Sequence, residues 1–519
     1  MEIPTPELVV QAQQDQLDAR RRRATTLRIH MDAEPAHLDP LASPSVWALR
    51  VTRDTVYETL VRYEPPASGD GPGRLEPGLA ESWKLGPGNR SIRIDLRDDV
   101  RFHNGKKLTS VDVQFSIDMA RSSRVDAAHL RRQLADVTAV ELVGPRAVRL
   151  RLSRANGYVL RALAQVPIIP DTVYRGALQP RRGQVVGSGP YKLESWDDGR
   201  IRLTRNADYW GEAPAIETID FVHEPDAAKA LTAAKRGEVD IIPALIPEHY
   251  PDQVKALGTH GDFVPLRLRP AVLRYLAVSH RSPPMDDPRV RQAVAKLVDS
   301  DGLIESLHGG MARAVGGPIW DRGPGDGRGV GAPAYDPNGA RALLAAAGWI
   351  EADETGRRSR DGERLHVALL ALPSGDVKER EHIVKNLREA GVFVEVRRGN
   401  AAVLMNRLDT GEFDLALLEW NSSMDTDLSP LVGVGGKLNF GRFKDDQVEA
   451  ILDRLRAAQT PAARRKILPE LADRLAQTQP IIPIVALDPV GLVHHRVRGL
   501  RAWDGWIRLR DLSLAHETD

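Results

Sequence analysis

The sequence predicts an α/β protein built as two lobes, and three observations support this fold class. The chain has 519 residues, more than a single hydrophobic core usually organises. Short apolar strands alternate with helices along most of its length, an order typical of sheets that helices cover. Hydrophobic residues make up 42% and charged residues 28% of the chain, as in folded globular proteins.

The N-terminal half begins with a predicted exposed helix over residues 7–23, whose basic end we interpret as a solvated face. The segment TLRIHM then predicts a strand from Thr26, followed by the loop DAEPAHLDP. The period-two alternation of residues 92–96 predicts a half-buried strand. Thr109 stands three residues before Asp112, which predicts a capped helix over 111–120.

The middle of the chain contains one predicted hairpin and two strand-helix-strand units. VGSGPYKLESWDDGRIRLTRN predicts the hairpin, with its turn at Asp198-Gly199. IDFVHE and VDII predict parallel strands joined by a helix. LHVALLAL and VFVEVR predict a second such pair around a helix over 377–390. Further helices are predicted at DDQVEAILDRLRAA and over 461–476, before the apolar strand IIPIVAL.

The stretch FDLALLEWNSSMDTDLSP is the most informative in the chain. It begins as a strand that its apolar run predicts to be buried on both faces. It then places the indole of Trp420 directly before the small polar run Asn421, Ser422 and Ser423. Spacing alone leaves two interpretations open: a ligand-contacting tryptophan, or a core tryptophan followed by an ordinary turn.

Composition excludes several classes of function. Lys and Arg number 72 against 71 Asp and Glu, so the chain lacks the excess of positive charge that nucleic-acid partners require. It has no cysteine, which excludes disulfides, a thiol nucleophile and cysteine-bound zinc. The chain contains no run of about 18 apolar residues, so no membrane span is predicted. The N-terminus also lacks an apolar leader, so we expect a cytoplasmic protein or a mature form whose leader was removed.

Candidate catalytic and metal motifs do not have the spacing that their chemistry needs, so no enzyme, metal site or cofactor is predicted. GVGGKL has Leu438 where a phosphate loop needs Ser or Thr. His494 and His495 are adjacent, and on a strand they are predicted to point to opposite faces and to share no metal. Asp425 and Asp427 lie two residues apart on one loop, an arrangement that does not flank a glycosidic bond.

Ten segments, in order from Thr26 to Leu487, resemble the family 5 extracellular solute-binding proteins of ABC importers, which include dipeptide, oligopeptide and nickel binders. The segments that carry this resemblance are LRIHMDAEPAHLDP, VYETLVRYEP, LEPGLAESWKL, IRIDLRDDVRFHNGKKLTSVDVQFSI, VGSGPYKLESW, RNADYWGEAPAIETIDF, RGEVDI, MDDPRVRQAVAKLVD, YDPNGARALLAAAGW and FDLALLEW.

The resemblance implies the two-lobed periplasmic-binding-protein-like fold of type II, cluster C, with an extra subdomain inserted in lobe I. Lobe I would comprise residues 26–51, 185–267 and 483–519, after an N-terminal extension over 1–25. The inserted subdomain would span 52–184 and lobe II 268–482. The lobes would close on a solute by hinge motion.

The resemblance also implies where the ligand binds. Trp420, Asn421, Ser422 and Ser423 would line the cleft from lobe II. Glu34, Ala36 and His37 of the loop DAEPAHLDP would face it from lobe I with main-chain groups. Peptide-binding relatives carry an aspartate at the position of Ser423, which pairs with the ligand ammonium. Here either Asp425 takes this role or the ligand has no free amino terminus at that point.

The function implied is capture of a small solute, a peptide or peptide-like compound, for delivery to the permease subunits of an ABC importer. Two alternatives stay open: a receptor of the same family for an oligosaccharide, opine-like compound or metal chelate, and a cytoplasmic ligand sensor. For the transport function we expect a monomer, without nucleic-acid partners, that is periplasmic or membrane-anchored outside the cytoplasm.

Overall fold

The structure is a computed structural model. It describes residues 24–41, 45–64, 74–125, 127–175, 185–197, 199–243, 262–268, 272–281, 283–308, 312–318, 333–351, 356–372, 377–421, 427–487, 490–503 and 506–515. The helix predicted over 7–23 lies outside these residues.

The strands, in chain order, are β1 Thr26–Met31, β2 Val61–Glu64, β3 Arg74–Pro77, β4 Ala80–Leu85, β5 Ser91–Leu96, β6 Val137–Leu142, β7 Ala147–Leu152, β8 Tyr191–Asp197, β9 Arg200–Arg205, β10 Thr218–His223, β11 Ile241–Ile242, β12 Phe263–Arg267, β13 Val272–Val278, β14 Ala312–Arg313, β15 Ile350–Glu351, β16 Arg358–Arg360, β17 Glu363–Arg364, β18 His366–Ala371, β19 Phe393–Arg398, β20 Leu415–Asn421, β21 Ile481–Leu487, β22 Val490–His494, β23 Val497–Arg498, β24 Ala502–Trp503, β25 Trp506–Ile507 and β26 Ser513–Leu514.

The α-helices are Val46–Thr52, Ser110–Arg121, Ala128–Gln133, Tyr158–Leu163, Asp171–Tyr174, Ala227–Lys235, Pro288–Lys296, Ser300–Ser306, Pro337–Ala346, Val377–Glu389, Ala401–Thr410, Ser429–Val432, Asp446–Ala457, Pro461–Arg465 and Leu468–Thr478. In the described parts of the chain, no helix combines the length and the apolar character that crossing a membrane requires.

The first lobe is organised by a mixed seven-stranded sheet of order β12-β22-β11-β1-β10-β9-β8. Strand β1 lies parallel to both β10 and β11, and the helix Ala227–Lys235 joins these two neighbours. The predicted strand-helix-strand unit is therefore confirmed, with β1 between its two strands. The predicted hairpin is confirmed as the antiparallel pair β8–β9.

A second, four-stranded antiparallel sheet of order β4-β5-β7-β6 forms with its helices what we call the inserted region, residues 80–125 and 127–175. Its buried side chains form one continuous core with those of the first sheet, from Leu27 through Ile94 to Phe221. The inserted region is thus packed onto the first lobe. Its helix Ser110–Arg121 begins as predicted, because the backbone N–H of Thr109 donates to Asp112 Oδ2 at 2.9 Å.

The second lobe is organised by a six-stranded sheet of order β14-β21-β13-β20-β18-β19. Strands β18 and β19 are parallel and flank the helix Val377–Glu389, which confirms the second predicted strand-helix-strand unit. Separate apolar clusters cover the two faces of this sheet. In β20, Leu415 and Ala416 are buried as predicted, whereas Leu417 and Leu418 are only half-buried.

The described chain passes between the two large sheets twice, from β12 to β13 and from β21 to β22. Residues 483–487, which the sequence assigned to lobe I, pair with β13 and therefore lie in the second sheet. A register shift opposite Arg274 and Tyr275 accommodates Pro483, which lacks an N–H, inside the strand. The other predicted lobe limits stay a prediction.

The predicted single helix over 461–476 is wrong in one respect: two helices cover this segment, Pro461–Arg465 and Leu468–Thr478. Pro469 stands in the first turn of the second helix. Its ring cannot donate a backbone hydrogen bond to the preceding turn, so a new helix starts there.

Candidate functional site

A cavity of about 360 Å³ lies between the inserted region and the second lobe. A cavity of this size suits a small solute and not an extended polymer. The residues that line it are His129, Arg132, Gln133, Ala135, Asp136, Arg154, Asn156, Tyr158, Arg161, Ala162, Gln165, Trp420, Asp427, Pro430, Leu438 and Arg456.

Direct contacts join the two walls beside the cavity. The backbone N–H of Gly157, in the inserted region, donates to the carbonyl oxygen of Arg456 at 2.9 Å. A side chain at position 157 would place its Cβ 2.1 Å from the carbonyl oxygen of Ala458, so only glycine permits this approach. The guanidinium of Arg464 lies 4.5 Å from the ring centroid of Tyr158. The two regions therefore meet through the backbone as well as through side chains.

Trp420 reaches the cavity from the second lobe. It lies near the end of β20, opposite Leu273 on β13, and is partly buried against the apolar cluster on that face of the sheet. Its indole thus has one side in the core and lines the cavity with the rest. Such an anchored aromatic ring offers a flat apolar wall at little cost in rotamer entropy.

The cavity lining carries more positive than negative charge. Among the described residues, four arginines line it against two aspartates: Arg132, Arg154, Arg161 and Arg456, with Asp136 and Asp427. Burial works against ionisation of Asp136, but hydrogen bonds from Asn156, Ser153 and Arg154 hold the pKa of its carboxyl below the usual value. Asp136 therefore stays charged and offsets Arg154.

The two most buried arginines of the cavity lining have partners within the protein. Arg161 is only 3% exposed, and its guanidinium lies 4.0 Å from the ring centroid of Tyr63. Arg456 pairs with Asp453 at 2.5 Å and donates to Ser429 Oγ at 2.8 Å. Fixed guanidiniums of this kind are suited to carboxylate groups, which accept paired N–H donors.

The loop residues predicted to bind the ligand lie elsewhere in the described structure. The exposed Glu34 accepts a hydrogen bond from Trp196 Nε1 at 2.5 Å, and Ala36 is also exposed. Nδ1 of the half-buried His37 accepts from the backbone N–H of Asp39 at 3.3 Å. None of the three is among the described lining residues of the cavity, so their ligand role stays a prediction.

Among the residues predicted around Trp420, Asn421 is the last residue of β20. Ser422, Ser423 and Asp425 lie outside the described residues. Sequence reasoning missed the whole wall formed by the inserted region. One signal was available for Arg161, which is a single cation inside the otherwise apolar helix YVLRAL.

The predicted divergence of His494 and His495 is wrong. Strand β22 ends at His494, and a turn follows over 495–496. The two imidazole rings therefore stack, with centroids 4.5 Å apart and planes inclined by 29°. The alternation of side chains across a strand holds only while the strand continues.

Comparison with known proteins places this architecture in a family. The sequence model of the bacterial extracellular solute-binding proteins, family 5 (middle), matches residues 74–441. The chain belongs to this family. The membership confirms the resemblance found in the sequence, and the family is one of solute-binding proteins and not of enzymes.

Individual proteins match most of the chain. The chain is 25% identical over 518 residues to a probable di/tripeptide-binding protein 5 of Pseudomonas aeruginosa, covering 92% of this chain and 93% of the relative. The fold matches NikA from Brucella suis, solved with Fe(III)-EDTA, at a TM-score of 0.80, with 24% identity over 94% and 99% of the chains. It also matches the oligopeptide-binding protein AppA from Bacillus subtilis, solved with a nonapeptide, at a TM-score of 0.71, with 20% identity over 95% and 99%. These matches confirm the predicted two-lobed fold class.

Proposed function

We propose that this family 5 protein captures a small peptide or peptide-like solute in the cavity lined by Trp420 and Arg161 and delivers it unaltered to the permease of an ABC importer. The observation that carries the proposal is the cavity itself, whose walls come from two bodies joined by two connections. Opening and closing around such connections exposes or buries a solute between the walls.

The peptide class is supported by the chemistry of the lining and by the relative named as a di/tripeptide binder. A peptide carboxylate can accept hydrogen bonds from the arginines, while Trp420 covers an apolar side chain. A volume of about 360 Å³ fits a short peptide better than a long one. Where the ligand amino group binds depends on Ser423 and Asp425, whose roles stay a prediction.

The excess of arginine favours a second candidate, an acidic solute that is not a peptide, such as an opine-like compound or a metal chelate. NikA from Brucella suis is solved with Fe(III)-EDTA, which shows that this fold accommodates an anionic chelate in that protein. An uncharged oligosaccharide would form no ion pairs with the four arginines and is therefore less favoured. In either case we propose a monomer that works outside the cytoplasm, free in the periplasm or anchored to the membrane.

Replacing Trp420 with Ala tests the cavity assignment. We expect solute affinity to fall by roughly 1–3 kcal/mol, the scale of a buried aromatic anchor. Trp83→Ala is the matched control, because Trp83 is also partly buried but lies on β4 and not in the cavity. Native mass spectrometry of protein purified without unfolding identifies the solute, and titration calorimetry with that solute gives the affinities.

Scattering supplies an independent measurement of closure. Saturation with the identified solute should reduce the radius of gyration of the wild type. Unchanged affinity in folded Trp420→Ala protein would exclude the cavity as the site. Identical scattering curves with and without solute, or release of a chemically altered solute, would contradict the receptor function.

A further inference from the structure

Three side chains at the edge of the first sheet form a cluster of metal-ligating groups that the solute cavity does not include. Asp262, His494 and His495 each bring one donor atom, a carboxylate oxygen or a ring nitrogen, and these atoms lie within 4.8 Å of one another. Asp262 and His495 are exposed and His494 is half-buried, so the cluster is open to ions in solution.

The pairing of β12 with β22 creates this cluster. His494 closes β22 opposite Phe263, the first residue of β12, and packs edge-on against its ring at 5.1 Å. One residue beyond the strand ends, the backbone N–H of His495 donates to the carbonyl oxygen of Asp262 at 2.8 Å. This bond keeps the backbones that carry the carboxylate and the imidazoles next to each other.

We propose that Asp262, His494 and His495 form a binding site for a divalent transition-metal ion of the zinc or nickel class. Two imidazoles and one carboxylate are a donor set that such ions bind in proteins, at about 2.0–2.2 Å from each ligand. The side chains of Asp262 and His495 are each 55% exposed, so they are free to rotate inward by the small amount that coordination needs. Three protein ligands leave a fourth position for water.

The hydrogen bonds of the rings predict unequal roles for the two histidines. Nδ1 of His495 lies 3.2 Å from the carbonyl oxygen of Asp262, which favours a proton on Nδ1 and leaves Nε2 with its lone pair. Nδ1 of His494 instead accepts from the backbone N–H of Arg496 at 3.1 Å. Ligation through Nε2 of His494 requires the other tautomer and the loss of that bond. We therefore expect weaker binding than at a closed structural zinc site.

The position of the site gives the ion a structural consequence. The chain leaves the first sheet for the second lobe after β12 and returns to it at β22. The cluster lies at their opposite ends, away from these connections. A bound ion would tie the two strands together at that end. Because an ion that binds the folded state stabilises it, the melting temperature should rise with metal concentration.

The experiment uses the full chain without an oligohistidine tag, freed of metal by a chelator. Titration calorimetry with zinc chloride and with nickel sulfate should show one saturable site, and calcium chloride should show none because calcium prefers oxygen ligands. His495→Ala and Asp262→Asn should each weaken zinc binding by more than tenfold and abolish the metal-dependent rise in melting temperature.

His366→Ala is the matched control. His366 is a half-buried histidine beside a carboxylate, with its Nε2 3.3 Å from Glu395 Oε2, but no second imidazole is part of that pair. This variant should bind zinc as the wild type does. Melting temperatures without metal establish that each variant is folded.

Three outcomes would overturn the site: no saturable zinc or nickel binding, folded His495→Ala and Asp262→Asn proteins that bind as tightly as the wild type, or an equal loss in His366→Ala. The second outcome would also arise if the metal bound in the solute cavity. The result is independent of the proposed transport function, because none of the three ligands lines that cavity.

Discussion

Two buried charged clusters, one in each lobe, differ in how closely their members approach one another. In the first lobe, Arg496 donates to both oxygens of Asp240, each at 2.7 Å, and both side chains are almost completely buried. Asp240 also accepts from the backbone N–H of Arg28 at 2.9 Å, and Arg496 donates to the carbonyl oxygen of Thr26 at 3.0 Å. This pair joins β1 to the residue before β11 and to the turn after β22 with charge-assisted hydrogen bonds.

In the second lobe, the buried carboxylate of Glu379 has loose partners. Its side chain is 3% exposed, yet the nearest guanidinium nitrogen of Arg274 is 3.9 Å away and Nε2 of His308 is 3.7 Å away. Among the described residues, Oε1 of Glu379 and Nε2 of His308 have no hydrogen-bond partner. Arg274 makes its close contact instead with Glu419, at 2.9 Å.

The two clusters differ in the closeness of their contacts, and they also occupy different places in the fold. The pair in the first lobe connects β1 to residues that adjoin β11 and β22, where a change of geometry would lose several bonds. The cluster in the second lobe lies beside the strand that carries Trp420, since Glu419 is its neighbour. We infer that the first cluster is a rigid structural contact and that the second tolerates rearrangement.

Asp240→Asn should have the largest effect, because it removes the negative partner and leaves the buried guanidinium of Arg496 uncompensated. Breaking a buried ion pair from one side typically costs about 3–5 kcal/mol of unfolding free energy. Urea unfolding followed by circular dichroism measures this loss. Glu141→Gln is the control, because it removes one carboxylate from an exposed pair with Arg151 and should leave stability unchanged. A loss for Asp240→Asn no larger than for the control would refute the contrast between the lobes.

Two histidines, His103 and His280, should make the stability of the protein depend on pH, with an effect of intermediate size. Burial lowers the pKa of His103, in the inserted region, to about 4, and burial together with the charge of Arg291 lowers the pKa of His280, in the second lobe, to about 4. The contrast between the lobes persists here. His103 bonds at both ring nitrogens, to Gly189 and Gly187, while His280 bonds through Nε2 to the carbonyl oxygen of Gln479.

The sign of the pH effect follows from these lowered values. Between pH 6.5 and 4 the unfolded chain binds a proton at each histidine that the folded protein does not, so stability falls as the pH falls. Because both rings keep some solvent contact, we expect each to remove about 1–2 kcal/mol by pH 5. Nitrogen NMR of labelled histidines should show both rings neutral at pH 5. If either ring titrated near pH 6.5, that histidine would not contribute to the loss of stability.

Local patterns predicted much of the fold, because each depends on neighbours along the chain. The cap at Thr109, the hairpin β8–β9 and both strand-helix-strand units follow from periodicity, turn residues and end signals. The site was predicted less completely. Trp420 was identified by its position near the end of an apolar strand, whereas Arg161 and Arg456 line one cavity only because two distant regions pack together. No spacing in the sequence encodes that contact.

Two of the errors have the same physical origin. The stacking of His494 on His495 depends on where β22 ends, and that end depends on the pairing with β12. The place of residues 483–487 in the second lobe depends on their pairing with β13, across a register shift that accommodates Pro483. Both are tertiary effects that override a local rule.

Glu379→Gln should have the smallest effect and tests the other side of the comparison. The amide keeps the shape of the carboxylate but removes a charge that neither Arg274 nor His308 pairs with closely. Arg274 also keeps its contact with Glu419. We expect a loss of about 1 kcal/mol, the scale of an ordinary hydrogen bond and well below that of Asp240→Asn. Unfolding of both variants under identical urea conditions measures the difference directly. Equal losses would show that Glu379 and Arg274, 3.9 Å apart, stabilise the fold as much as the hydrogen-bonded pair of Asp240 and Arg496. Distance alone would then not determine the strength of these buried contacts.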